Sequence, residues 1–101
     1  MRPILLTLER EVESFERWID DYWDLHREAR RASTSGEGFQ ARRLRMAARR
    51  IRMGLIINTD RLRRRILRCR WGTIGITGEE VEMLLALWVR LEALDDVVGL
   101  A

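Results

Sequence analysis

Apolar residues recur along this chain at alternating spacings of three and four. Leu5, Leu8, Val12, Phe15, Ile19, Tyr22, His26 and Ala29 keep that rhythm without a break. At 100° per residue they fall on one side of a helix, and no alternating strand pattern competes. Pro3 suits the first turn, where its missing N–H costs nothing. The pattern predicts a helix over about 3–31 with a coiled-coil-like heptad stripe. Trp18, Trp23 and Leu25 lie off the stripe, as expected of a helix that touches more than one neighbour. The small polar residues and two glycines of 32–38 read as a loop long enough to reverse the chain.

A second stripe follows: Leu44, Ala48, Ile51, Leu55, Asn58, Leu62, Ile66 and Cys69. It predicts a helix over about 39–71. Gly54 and the run Asn58-Thr59-Asp60 are its weak points, and a kink near 54–60 is the alternative to one continuous rod. Roughly opposite the stripe runs a second apolar ridge of Met46, Met53, Ile57, Leu67 and Trp71. A helix packed on one side only has no need of such a ridge.

Residues 72–77 read as a loop. Thr77 with Glu80 three positions later forms a capping box, with acids in the first turn of a last helix over about 78–98. That helix is apolar nearly all round between Val81 and Leu91, as befits the middle of a bundle. The predicted fold is all-α: a long antiparallel helical hairpin plus a third, shorter helix, in a single domain spanning 1–101. Helices of such unequal length leave apolar surface uncovered, so a homo-oligomeric bundle is expected. Its contacts would come from Met46, Met53, Ile57, Asn58, Leu67 and Trp88.

Charge sharpens this picture because the signs are segregated. Residues 1–31 carry eight acids and six arginines, a net of −2, and residues 72–101 carry −5. Residues 39–71 hold twelve arginines against Asp60 alone, a net of +11. There is no lysine. Codon usage in a GC-rich genome accounts for that, and so does arginine's planar fork, which grips phosphate or carboxylate bidentately. Two uses of the arginines compete. In one they are solvated or pair with acids of the flanking helices, Glu9, Glu13, Glu16, Asp20, Asp24, Glu82 and Glu92 among them. In the other, Arg42, Arg43, Arg45, Arg49, Arg50, Arg52, Arg61, Arg63, Arg64, Arg68 and Arg70, with Trp71, track the phosphates of RNA or DNA. No base-reading motif is present, so such binding would follow backbone and shape.

Other chemistry is thin. Cys69 is the only cysteine, which excludes an intramolecular disulfide and offers no metal-ligand spacing. His26 sits on the heptad stripe, as a core or interface residue would, with no partner placed to make it catalytic. Glu13-x-x-Glu16 and Glu92-x-x-Asp95 resemble the paired carboxylates of all-helical magnesium-dependent nucleotide pyrophosphatases, but the likeness ends at those four residues. No enzyme activity, cofactor or metal is expected. No segment has the length of a membrane span, and Glu9 arrives too early for a secretory signal. A cytoplasmic protein without membrane contacts is therefore expected. In size and composition the chain resembles, in type only, the small subunits of RNA-guided effector complexes and compact phage-encoded regulators. The favoured function is non-enzymatic nucleic-acid binding, as one small subunit of a larger ribonucleoprotein or phage or defence complex. The alternative is a protein–protein interaction module whose arginines meet carboxylates of its own oligomer or of an acidic partner.

Overall fold

The computed structural model describes residues 2–100. It consists of three helices: α1, Pro3–Thr34; α2, Gly38–Gly72; and α3, Gly78–Leu100. The molecule is a rod of 60 × 21 × 17 Å, and the 35 residues of α2 account for most of that length at ~1.5 Å per residue.

The α1 stripe goes inward. Leu5, Leu8, Val12, Ile19, Tyr22 and Ala29 are buried, and Phe15 packs against the same core. From α2 come Ala41, Ala48, Leu55, Thr59, Leu62, Ile66 and Cys69. Glu11 of α1 pairs with Arg65 of α2, Trp18 packs at Gly54, and Arg2, just before α1, reaches the carbonyls of Ile74 and Gly75 after α2. One end of the rod has a three-helix core of Leu, Ile and Val. The other end has only two helices, joined through Ala29, Ala32, Ala41 and Ala48.

Several boundaries differ from the sequence expectation. Helix α1 continues through Ala32, Ser33 and Thr34, so the connection shrinks to residues 35–37. A Schellman turn is the cause: Glu37 N–H donates to the Ala32 carbonyl at 2.8 Å and Gly36 N–H to that of Ser33 at 3.3 Å. Gly36 takes the left-handed conformation, φ 78°, that this turn requires.

Helix α2 runs on without interruption through 54–60. The polar run does not break it because its side chains bond within the helix. Asn58 Nδ2 donates to the Gly54 carbonyl at 2.8 Å, and Thr59 Oγ1 to that of Leu55 at 2.7 Å. Gly54 also has a packing role. A Cβ built there would sit 3.8 Å from the Trp18 ring, an ordinary van der Waals contact, so the ring packs over this turn of α2.

Helix α3 does not occupy the middle of a bundle within one chain. It lies along one side, with Leu84, Leu87, Leu91 and Leu94 buried, while Leu85 and Val89 are 63% and 59% exposed. Its start is fixed by the capping box: Glu80 N–H donates to Thr77 Oγ1, and Thr77 N–H to Glu80 Oε1, each at 3.1 Å. The bond from the Thr77 backbone holds the Glu80 carboxyl below the usual carboxylate range, with the Thr77 hydroxyl and nearby Arg2 acting in the same direction. Arg2 ties the assembly together. It donates to the Gly75 carbonyl at 2.8 Å and stands 3.4 Å from Glu80.

Candidate nucleic-acid interface

The residues of α2 opposite its buried stripe form a mixed cationic and apolar face. Phe39, Met46, Met53, Ile57, Leu67 and Trp71 are all exposed along it, and Met46 and Met53 keep half their surface, 52% and 50%. Arg42, Arg43, Arg49 and Arg50 are interleaved with them and exposed. The spacing explains the arrangement. Arginines at 42–43 and 49–50 are separated by a heptad, as are Phe39, Met46 and Met53, so both sets recur on the same side.

No acid occurs between Gly38 and Thr59, which hold six arginines. Among the described residues Arg42, Arg43, Arg45, Arg49 and Arg50 make no ion pair, nor do Arg61, Arg68 and Arg70 farther along. Arg70 lies over the Trp71 ring at 4.4 Å and Arg43 is 6.0 Å from that of Phe39. Exposed aromatics thus carry guanidinium groups on their faces. Arg52 is half-buried.

The second half of α2 divides differently. Arg63, expected in the phosphate-binding set, faces α3 instead. It is paired with Asp95 and stands 3.7 Å from Glu92, and its side chain is only 19% exposed. Its guanidinium also lies 6.0 Å from the centre of the Trp88 ring. Arg64 keeps an exposed side chain but pairs with Asp60 at 3.1 Å, one turn back. Arg65, outside the expected set, pairs with Glu11 of α1 at 2.5 Å. The helix is therefore neutralised in part between 63 and 65 and unmatched between 42 and 50. The acids that make the difference come from three places: α3 for Arg63, α2 itself for Arg64 and α1 for Arg65.

The expected oligomer contacts separate in the same way. Met46, Met53, Ile57 and Leu67 lie on the exposed face. Trp88 is instead half-buried against the core of its own chain. Asn58 is half-buried beside Trp18 and Phe15, in the groove between α1 and α2.

Some carboxylates elsewhere hold the helices together. Glu16 accepts from Arg90 of α3, and that bond raises the Arg90 pKa against an opposing burial effect. With Glu16 held by Arg90 and Asp95 by Arg63, the two paired-carboxylate motifs do not converge on a common point, and among the described residues no three potential ligands gather around a metal position. Cys69 is buried and accepts a weak bond from Thr73 Oγ1 at 3.7 Å. His26 stacks edge-on against Tyr22, ring centres 4.6 Å apart. Among the described residues no helix is long and apolar enough to cross a membrane. Sequence reasoning missed Phe39, although its heptad relation to Met46 and Met53 is visible in the spacing. Comparison with family models, curated proteins and solved structures finds no match for this chain.

Proposed function

We propose that this protein is a non-enzymatic, cytoplasmic, small helical subunit that binds the phosphate backbone of RNA or DNA along α2. In this reading α1 and α2 form an antiparallel hairpin, and α3 braces its open end. The support is the run of exposed arginines from Arg42 to Arg50, none with a carboxylate partner among the described residues. Unneutralised cations on successive turns attract a polyanion by releasing its counterions, so affinity should fall steeply with salt. Neighbouring Met46, Met53 and Phe39 add contact with sugars and bases without reading their order. The experiment is a mobility shift with a short duplex and a single strand, repeated with Arg49→Glu/Arg50→Glu. Loss of the shift in a variant that melts like wild type supports the proposal. An unchanged shift, or no shift from the wild type at low salt, overturns it.

A second reading, of the interaction-module class, is favoured by the apolar share of the same face. The outer side of α3 carries Glu82, Leu85, Val89 and Glu92, the complement of an Arg/Met ridge. Two copies that pair these faces form a homo-oligomer with the arginines matched internally. Sedimentation of wild type and of Met46→Glu/Met53→Glu separates the readings. A dimer that the substitution dissociates, with no affinity for nucleic acid, favours the second.

A further inference from the structure

One ridge of α1 changes character along its length. Glu9, Glu16, Trp23 and Arg30 recur every seven residues, so they share a side of the helix. Glu16 meets α3 through Arg90. Asp95, five residues from the end of α3, meets Thr59 and Arg63, in the second half of α2. Beyond that point the groove between α1 and α2 lies open, and there the ridge turns aromatic and basic.

The open part contains a cleft of about 460 Å³ lined by Trp23, His26, Arg27, Arg30, Thr34 and Arg45. Its volume falls within the size range of small-ligand sites. Arg27 is engaged by Asp24. Arg30 and Arg45, from opposite walls, are exposed, and neither has a partner among the described residues. Trp23 is held edge-on against Tyr22, centres 5.2 Å apart, and tilted against His26 at 5.9 Å. Those contacts pack the ring against its helix neighbours at the cleft. Two arginines without a partner among the described residues, one from each wall of a cleft that also holds an aromatic ring, suit a ligand with both phosphate and a planar base.

We propose that this cleft is a nucleotide-binding site, in which Arg30 and Arg45 hold the phosphate and the base stacks on Trp23. It deepens the reading of α2 as a phosphate-binding helix, because Arg45 belongs to the same run. The nucleotide has two sources, a free mononucleotide or one residue of a single strand passing the tip of the rod.

The test follows the four indole N–H signals of the full chain by two-dimensional NMR, with Trp23 assigned from Trp23→Phe. The probes are inorganic pyrophosphate, ATP and an eight-nucleotide oligothymidylate. The Trp23 signal should move with ATP and the oligonucleotide, and pyrophosphate should bind roughly tenfold more weakly for want of a base to stack. Arg30→Glu/Arg45→Glu should abolish the shift with an unchanged melting temperature, while Arg10→Gln, an exposed arginine of α1 outside the cleft and outside the α2 run, should leave ATP affinity within about twofold. A Trp23 signal unmoved by ATP and by the oligonucleotide at millimolar concentration, or moved equally in Arg30→Glu/Arg45→Glu, overturns the assignment. If the oligonucleotide still binds through α2 while Trp23 stays silent, the cleft fails and the wider reading survives. If ATP moves Trp23 but the oligonucleotide binds no tighter, the site stands as one for free nucleotide and the strand-binding reading falls.

Discussion

Arg63 and Arg49 occur in one helix, yet their replacement should have opposite consequences. The Arg63 side chain is 19% exposed, paired with Asp95, near Glu92, and 6.0 Å from the centre of the Trp88 ring. Arg63→Ala removes an ion pair whose acids stay partly hydrated, a ring contact of roughly 0.5–1 kcal/mol and the packing of the aliphatic stem. Because Asp95 and Glu92 can return to water, the loss should be about 1–2 kcal/mol, below that of a fully buried pair. A chain of 101 residues unfolds with an entropy of ~0.2 kcal/mol/K, so each kcal/mol moves Tm by ~5 °C. Arg63→Ala should therefore melt about 5–10 °C below wild type, followed by circular dichroism at 222 nm. Arg63→Met, which keeps the stem, should recover part of that loss. Arg49→Ala, at an exposed helical position, should stay within about 0.5 kcal/mol, or ~2–3 °C. Oligonucleotide affinity should show the reverse order, intact in Arg63→Met and reduced in Arg49→Ala. The reasoning is refuted if Arg63→Ala melts within 2 °C of wild type, or if Arg49→Ala melts far below it.

Further outcomes follow from the helix ends and the glycines. Thr77→Ala removes the cap hydroxyl of α3 and should cost about 1 kcal/mol in urea denaturation. The Glu80 carboxyl titrates below its ordinary value in the folded chain. Its contribution is therefore complete above the ordinary carboxylate pKa and declines as pH falls through the folded value. Melting temperature should drop on acidification below about pH 5, less steeply in Glu80→Gln, and equal slopes would count against the capping account. Gly36→Ala should destabilise by roughly 1–2 kcal/mol, because Gly36 holds φ 78°. Gly54→Ala should stabilise by roughly 0.5–1 kcal/mol, since its new methyl meets Trp18 at an ordinary 3.8 Å. If both glycine changes act in the same direction, the described backbone is wrong at one of them.

Much of the all-helical build was legible because side chains three and four residues apart share a face whatever the tertiary context. The inward positions of α1 and α2 could thus be read off as two stripes, and Thr77-x-x-Glu80 announced the start of α3. The end of α1 was legible in principle, since Ser35-Gly36 offers the left-handed residue of a Schellman turn. The small polar residues on either side disguise it as the middle of a loop. Asn58 and Thr59 misled for a physical reason: the side chains that cap a new helix also bond to the carbonyl four residues back and so lie quietly inside an existing one. The division of the arginines was not local information at all. Nothing in the run Arg63-Arg64-Arg65 says that one faces Asp95, one solvent and one Glu11. That follows from where α3 and α1 dock, and docking depends on the whole apolar surface. For the same reason the apolar circumference of α3 suggested burial on all sides, while a single chain covers only the side bearing Leu84, Leu87, Leu91 and Leu94.

The most direct measurement is the salt dependence of oligonucleotide affinity for wild type and for Arg49→Ala/Arg50→Ala. The predicted wild-type result is a linear fall of log K with log salt concentration, with a slope near −4 to −5 on duplex, as expected for about five neutralised phosphates. Each arginine replaced should reduce that slope by about one, with Tm unchanged. No binding at 50 mM salt, or a slope that the double replacement leaves unaltered, would contradict the claim that the unmatched arginines of α2 hold a polyanion.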